Sequence, residues 1–264
     1  MTEKLRVALI QMHVQAGEPE ANFAAVTRRL QQVAASEPKP DLIILPEMWN
    51  TGYALPTITE TADENGSRTK DFFSAFSSTQ QINVIAGSVS VKTKQGVKNV
   101  AYAFDRNGKL VAEYAKLHLF RLMDEEKYLI GGNKSELAQF DGVLAGLMIC
   151  YDLRFPELAR KYALAGANIL FVPAEWPHPR LHHWRTLLQA RAIENQLFVV
   201  ACNRVGISGG THFFGHSMVV DPWGEIVAEG AEDEADIFAE LDLTLVNRVR
   251  KQIPIIPDRR PEVY

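Results

Sequence analysis

Three residues that could carry out nucleophilic chemistry directly follow apolar runs of the sequence. Cys150 ends "GLMIC", Glu47 follows "LIILP", and Lys116 lies in "AEYAKLHLF". A free thiol titrates near ~8.5, so a nucleophilic cysteine needs a base or a positive neighbour. A partly buried glutamate could take the thiol proton, and an ammonium could stabilise the negative oxygen of a tetrahedral intermediate. The residue types therefore allow covalent catalysis by a cysteine.

Each of the three residues also has a simpler interpretation. Cys150 could be an inert buried thiol, Glu47 an acid stabilised at a helix N-terminus, and Lys116 a surface lysine with a buried stem. The position of Cys150 favours reactivity, because open α/β sheets place reactive groups where a strand ends and a turn begins. Cys202, inside "VVACNRVG", lacks such polar surroundings, and we interpret it as structural.

Two further groups of polar residues are weaker candidates. In "RLMDEEKYLIGG", Glu125 or Glu126 could orient the lysine or handle protons, and a solvated acidic turn would explain both as simply. In "HPRLHH", His178 and His182 have helical spacing, but Pro179 interrupts that turn and no acidic third ligand is evident. We therefore predict no metal site and interpret the histidines, which include His183, as a polar helix start.

The elements that must position these residues alternate between strands and helices. Short β-branched runs such as "RVALIQM", "AGLMICYD" and "LFVVACNRVG" are separated by helical stretches, which predicts an α/β architecture. Residues 20–38 and 179–196 each carry apolar side chains at spacings of three and four, which predicts amphipathic helices packed on a sheet. Asn107-Gly108 and the turn at Pro222 to Gly224 predict hairpins, so the sheets should be mixed.

The chain shows one internal echo and no linker. "DLIILPEMW" and "NILFVPAEW" both lead a buried strand into a proline and then an acid and a tryptophan. Two sheets built from related halves would explain the echo, and so would chance. No stretch rich in Pro, Gly and Ser interrupts residues 1–264, which predicts a single domain. The proline-spaced tail from about residue 251 cannot continue a helix and should lie extended on the surface or on a neighbouring subunit.

Composition restricts the partners of this 264-residue chain. The formal net charge is −4 and there is no block of Lys and Arg, which argues against nucleic acid or a membrane surface as the main partner. The expected partner is a small molecule. Phosphate-binding, dinucleotide-binding and serine-hydrolase motifs are absent. Only two cysteines occur, and the N-terminus lacks a long apolar leader, which favours a cytoplasmic location.

The segments around the three candidate residues resemble the Glu-Lys-Cys blocks of the nitrilase superfamily, the carbon-nitrogen hydrolases. "IILPE", "YAKLHLF" and "GLMICYDLRFPEL" carry the resemblance, and "ARAIENQ", "ACNRVG" and "GHSMVVDPWG" extend it over essentially the whole chain. "LFRLMDEEKYLIGG", "AEWPHPRLHHW" and "CYDLRFPE" are most similar to the ω-amidase branch, and in particular to predicted amidases associated with methionine salvage.

This resemblance implies a four-layer α-β-β-α sandwich, usually paired into a homodimer through helices next to the nucleophile turn. It implies that Glu47 is the general base, Cys150 the nucleophile, and Lys116 with the Tyr151 amide the stabiliser of the oxyanion. It also implies a second glutamate, placed at Glu125 with an uncertainty of one residue. No cofactor is required.

The resemblance further suggests that Arg154 engages a substrate carboxylate, and an ion pair of Arg154 with Asp152 or Glu157 is the alternative. Trp176 and Phe213 are candidate lining residues, as are Phe214 and Tyr53.

The expected activity is hydrolysis of the terminal amide of a 2-oxo acid such as 2-oxoglutaramate through a cysteine thioester. The alternatives are a nitrilase, an N-carbamoyl hydrolase or a deaminated-glutathione amidase, a catalytically idle binding protein on the same fold, and a metal hydrolase that uses the histidines.

Overall fold

Two mixed β-sheets form the centre of the computed structural model, which describes residues 3–263. The strands of the first sheet are β1 (Lys4–Gln11), β2 (Leu42–Ile44), β3 (Asp63–Glu64), β4 (Asn83–Thr93), β5 (Gly96–Phe104), β6 (Leu110–Ala115) and β15 (Ala235–Asp242). Their order is β15-β1-β2-β4-β5-β6, and β3 pairs with β4. β2 is parallel to both of its neighbours, so its carboxyl end lies at the same edge as the ends of β1 and β4.

The second sheet also combines parallel and antiparallel pairs. Its strands are β7 (Leu137–Phe140), β8 (Val143–Leu147), β9 (Ile169–Ala174), β10 (Phe198–Asn203), β13 (Met218–Val220) and β14 (Ile226–Glu229). The order is β14-β13-β10-β9-β8-β7, with the parallel trio β8, β9 and β10 at its centre. A separate hairpin of β11 (Val205–Ser208) and β12 (Thr211–Phe214) follows β10.

Helices cover the outer faces of the two sheets. The helices are α1 (Pro19–Ala34), α2 (Ile58–Thr61), α3 (Ser67–Gln80), α4 (Glu125–Tyr128), α5 (Pro156–Leu164), α6 (Leu181–Asn195) and α7 (Thr244–Gln252). Short 3₁₀ helices span Leu55–Thr57, Arg121–Met123 and Cys150–Arg154.

The layers follow from which side chains share a core. Apolar residues of α1 and α3 pack on one face of the first sheet. The other face of that sheet packs on the second sheet, whose far side carries α5 and α6. The α-β-β-α sandwich is thereby confirmed. Burying both faces of the central parallel strands explains their continuous apolar sequences.

Local predictions can be compared with these elements. The apolar face expected for residues 20–38 is buried in α1, as is most of the face expected for residues 179–196 in α6. The strands joined by Asn107-Gly108 and by the turn at 222–224 are antiparallel, as predicted.

The C-terminal tail differs from the prediction. α7 continues to Gln252, and residues 253–263 then form successive turns closed by Asp258 N to Pro254 O and Val263 N to Arg260 O bonds, so the tail is not extended. Within residues 3–263, no helix is both long and apolar enough to cross a bilayer.

Candidate active site

Cys150 lies at the turn that follows β8. The chain leaves the strand at Leu147 and enters the 3₁₀ helix at Cys150, whose φ of 45° lies in the left-handed region that costs a non-glycine residue energy. The Cys150 side chain is almost fully buried, with 4% of its surface exposed. The first amides of a helix have no intrahelical acceptor, so the Tyr151 N–H is available beside the sulfur.

A buried carboxylate holds this turn in place. Asp152 accepts hydrogen bonds from the Ile149 amide at 2.9 Å, the Tyr114 hydroxyl at 2.7 Å and the His118 amide at 3.0 Å. The His118 ring also contacts this carboxylate, and it stacks on Phe155 with 3.6 Å between ring centroids. The nucleophile turn is therefore tied to the segment that follows β6, where Lys116 lies.

The structure brings Glu47, Lys116 and Glu125 together beneath Cys150. Lys116 Nζ donates to Glu47 Oε1 at 2.8 Å and to Glu125 Oε1 at 2.7 Å, and all three side chains are fully buried. Glu47 follows β2, Lys116 follows β6, and Glu125 begins α4. One buried ammonium thus bridges two carboxylates, an arrangement in which each group supplies the counter-charge that the others need.

Additional donors orient the Glu47 carboxylate. Its Oε1 accepts from Asn99 Nδ2 at 2.8 Å and from the Tyr53 hydroxyl at 3.1 Å, and its Oε2 accepts from the Glu175 amide at 2.8 Å. The Tyr53 hydroxyl also donates to Glu125 Oε1. With so many fixed partners, Glu47 has one available orientation toward the thiol.

The electrostatics of the cluster keep the thiol neutral and the amine charged. Burial raises the pKa of Cys150 well above its usual value, and the nearby Glu47 carboxylate raises it further while Lys116 opposes the rise. For Lys116, burial by itself lowers the pKa, but the Glu125 and Glu47 carboxylates overcome this and raise it well above its usual value. At neutral pH the sulfur is therefore a thiol that needs a base.

Of the two neighbouring glutamates, Glu125 is the one that contacts Lys116. Its side chain is fully buried on Lys116, and its Oε2 accepts from the Phe120 amide at 2.9 Å. Burial raises the pKa of Glu125, Lys116 lowers it, and Glu47 raises it again. Glu126, the neighbouring alternative, is exposed and faces away from this cluster into an open groove.

A small cleft opens over the sulfur, and it contains two guanidinium groups. It is lined by Phe120, Cys150, Tyr151, Arg154, Trp176, Pro177 and Arg180. Trp176 thus lines the cleft as expected, beside Tyr151. Phe213 does not: it is buried elsewhere, with the Arg204 guanidinium 4.5 Å above its ring. The sequence could not show on which face of its strand the Phe213 side chain lies, because successive strand residues point to opposite faces.

Neither cleft arginine has an acidic partner. Among residues 3–263, no carboxylate lies within 4.0 Å of Arg154 or Arg180, although many other basic side chains have such a partner. Arg154 lies 4.8 Å from the Trp176 ring centroid, and Arg180 lies 5.8 Å from that of Phe120. The alternative in which Arg154 pairs with Asp152 or Glu157 is therefore wrong, since Asp152 is occupied within the turn.

Three residues of this site did not emerge from the sequence. Asn99 lies in the middle of β5, where nothing distinguishes it from any strand asparagine. Glu175 could have been found through the echo between "DLIILPEMW" and "NILFVPAEW". The acid of each segment, Glu47 in the first and Glu175 in the second, lies at the site, where the two residues are hydrogen-bonded. Arg180 lies two residues after His178, in a segment that we interpreted through its histidines alone.

Comparisons with known proteins identify the family of the chain. Residues 6–251 match the model of a family described as carbon-nitrogen hydrolase. The chain is 42% identical to a 2-oxoglutaramate amidase of Bacillus subtilis over 99% of this chain and 100% of the other. It is 35% identical to omega-amidase YafV of Escherichia coli K12 over 96% of each chain. The crystal structure of Saccharomyces cerevisiae Nit3, a member of branch 10 of the nitrilase superfamily, superposes with a TM-score of 0.91, at 30% identity and 98% coverage of both chains.

Proposed function

The chain belongs to the carbon-nitrogen hydrolase family, and we propose that it hydrolyses the terminal amide of a small carboxylate-bearing substrate through a thioester on Cys150. The observation that carries this proposal is the pair of arginines without counter-charges in the cleft above the sulfur. Burial lowers the pKa of Arg154, and the nearby positive charge of Arg180 acts in the same direction, so the two guanidinium groups repel each other. An anion bound between them relieves that repulsion and forms charge-assisted hydrogen bonds.

The first half of the reaction begins with a proton transfer from the Cys150 thiol to Glu47. The sulfur then forms a bond to the amide carbon, and the carbonyl electrons move to oxygen. Lys116 Nζ and the Tyr151 amide stabilise that oxyanion. When it collapses, the C–N bond breaks and Glu47 returns its proton to the leaving nitrogen, which departs as ammonia. The acyl group remains on Cys150 as a thioester.

The second half of the reaction uses the same groups with water as the nucleophile. Glu47 takes a proton from a water molecule, whose oxygen attacks the thioester carbonyl. The same donors stabilise the second oxyanion, and its collapse breaks the C–S bond. The sulfur regains a proton from Glu47, and the carboxylic acid leaves. Protons balance over the cycle without a further reactant, so the mechanism needs no cofactor.

A 2-oxo dicarboxylate monoamide such as 2-oxoglutaramate fits this cleft chemically. The substrate carries a carboxylate and a neighbouring keto oxygen at the end away from the amide, and these are acceptors for two guanidinium groups. Trp176, Tyr151 and Phe120 supply apolar walls for the short methylene chain. The Bacillus subtilis relative whose name gives this substrate matches the chain over essentially its full length.

Ammonia release from a matched panel of compounds tests the proposal. We expect kcat/KM for 2-oxoglutaramate and glutaramate to exceed that for neutral pentanamide by about 100-fold or more. Pentanamide has no carboxylate, so when it binds it leaves the two guanidinium groups without an acceptor. A Cys150→Ala variant should release no ammonia. Cys202→Ala is the matched control, since Cys202 lies outside the cleft with its sulfur on the Ile10 carbonyl.

Two results of this panel would contradict the proposal. Turnover of pentanamide equal to that of glutaramate would show that the arginines do not select an anion. Faster turnover of a nitrile or an N-carbamoyl amino acid would assign the site to another activity of this family.

We also propose that the enzyme is a cytoplasmic homodimer. α5 and α6 flank the nucleophile turn, and each exposes an apolar side chain, Leu164 at 44% and Ile193 at 49%. The two free cysteines agree with a reducing location. Light scattering on the purified protein gives the mass directly, and a monomer at micromolar concentration would contradict the dimer.

A further inference from the structure

Two histidines and a glutamate that are distant in sequence converge beside the cleft. His178 lies in the loop after β9, His212 lies in β12, and Glu232 lies in the segment between β14 and β15. Each offers one ligand atom, and these three atoms all lie within 4.8 Å of one another. The "HPRLHH" segment around His178 contains no acidic third ligand. The acid comes instead from a residue more than fifty positions away along the chain.

The backbone holds the three segments together without help from these side chains. The His178 amide donates to the His212 carbonyl at 2.9 Å, and Pro177 forms a bridge with Phe213. The third segment is held by a bond from the His216 amide to the Ala231 carbonyl at 3.2 Å. The cluster is therefore built on fixed backbone, and the side chains of His212 and Glu232 are exposed.

One ligand atom of the cluster lacks a hydrogen-bond partner. His178 Nε2 is shielded from solvent and bonds to nothing, since Glu232 Oε1 is 3.9 Å away, beyond hydrogen-bonding distance. The imidazoles of His178 and His212 lie 4.4 Å apart between centroids and are tilted by 32°. A shielded nitrogen that bonds to nothing costs free energy, and a ligand that accepts its lone pair would remove that cost.

The donor set points to a metal ion of borderline softness. Two imidazole nitrogens with one carboxylate oxygen form a three-ligand set that Zn²⁺ adopts, leaving a fourth position for water. With bonds of about 2.0–2.1 Å, tetrahedral ligands lie roughly 3.3 Å apart. The present separations exceed this by at most about 1.5 Å, and exposed His212 and Glu232 can close the gap by side-chain rotation.

We propose that His178, His212 and Glu232 bind one divalent transition-metal ion of the Zn²⁺ class at the rim of the cleft. The amide hydrolysis proposed above does not use this ion. Pro177 and Arg180, which line the cleft, also line the adjoining groove that contains His178 and His212. A bound ion would fasten the loop at 177–180 to the β11–β12 hairpin, and thereby steady one wall of the cleft.

Metal titration of protein without a polyhistidine tag tests the site. The titration uses a Cys150→Ala background, which removes the thiol of the cleft as a competing ligand. We expect one equivalent of Zn²⁺ to bind by calorimetry, and Co²⁺ to give the visible absorption of a tetrahedral complex. His212→Ala and Glu232→Gln should each weaken binding by about 10-fold or more.

The controls separate this site from adventitious binding at the surface. His182→Ala and His183→Ala remove exposed histidines of the same region that lie outside the cluster, and both should leave the Zn²⁺ affinity unchanged. Circular dichroism checks that each variant is folded. The proposal is overturned if no Zn²⁺ binds below millimolar concentration, or if His212→Ala binds as tightly as its parent. Because the Cys150→Ala background is inactive in any case, failure here would leave the proposed amidase function untouched.

Discussion

The Glu47 carboxylate accepts a hydrogen bond from the backbone amide of Glu175, with 2.8 Å between nitrogen and oxygen. This contact joins the end of a strand in one sheet to the end of a strand in the other. The Glu47 amide returns a bond to the Ala174 carbonyl at 3.4 Å. The base of the site is therefore held by backbone from the opposite sheet, at the place where the two echoing segments meet.

We expect the Glu175 side chain to make the stability of the protein depend on pH. Burial raises its pKa to about 8, although Arg204 opposes the rise and Glu47 adds to it. An unfolded glutamate titrates near ~4.3, so between these values the folded state holds one more proton than the unfolded state. Stability should therefore fall as pH rises through this range, by about 1.4 kcal/mol per pH unit from this residue.

We expect Glu175→Gln to remove this slope, because an amide does not ionise. Urea denaturation at pH 6 and pH 8 measures the free energy of unfolding of both proteins. From pH 6 to pH 8, the free energy of unfolding of wild type should fall by on the order of a few kcal/mol more than that of the variant. Glu225→Gln, on the exposed turn after β13, is the control and should follow wild type. Parallel pH dependences for Glu175→Gln and wild type would show that this carboxyl is ionised in the folded protein.

The neighbours Glu125 and Glu126 form a natural matched pair. Glu125→Gln removes one of the two carboxylates on Lys116, whereas Glu126→Gln changes an exposed side chain. We expect Glu125→Gln to lower kcat by about 100-fold or more, with Glu126→Gln close to wild type. Steady-state ammonia release on 2-oxoglutaramate measures both. The reverse order would show that the second glutamate had been misplaced by one residue.

Arg180 should govern the choice of anionic substrates. Arg180→Met keeps much of the apolar stem and removes the guanidinium, so KM for glutaramate should rise by about 10-fold to 100-fold. Turnover of pentanamide, which carries no carboxylate, should change much less. Arg28→Met on the exposed face of α1 makes the same change in net charge and should affect neither substrate. An equal loss on both substrates would mean that Arg180 shapes the loop and does not bind the anion.

Asp152 should be important for stability as well as activity. Asn in its place would present an amide group to donors such as the Ile149 and His118 amides, which now bond to carboxylate oxygens. We expect Asp152→Asn to lower the free energy of unfolding by about 3 kcal/mol, measured by urea denaturation. Asp124→Asn, whose carboxylate forms an ion pair with exposed Lys127, should change it by less than about 0.5 kcal/mol. Equal changes in the two variants would contradict the anchoring role of Asp152.

Local patterns were sufficient for much of the fold. The alternation of apolar strands with amphipathic helices, and the turn at Asn107-Gly108, depend on interactions between near neighbours in sequence. The tail is the exception, because its prolines exclude a helix without selecting between an extended chain and the turns that form after Gln252.

The sequence by itself determined the residue types available for catalysis and the strand ends at which Glu47, Lys116 and Cys150 lie. Only the tertiary structure decided which polar residues meet. It selected Glu125 over Glu126, added Asn99, Glu175 and Arg180 to the site, removed Phe213, and joined His178 to a glutamate from another segment. The physical reason is that burial, electrostatic coupling and ligand geometry depend on distances between segments far apart in the chain, and periodicity within one segment carries no information about those distances.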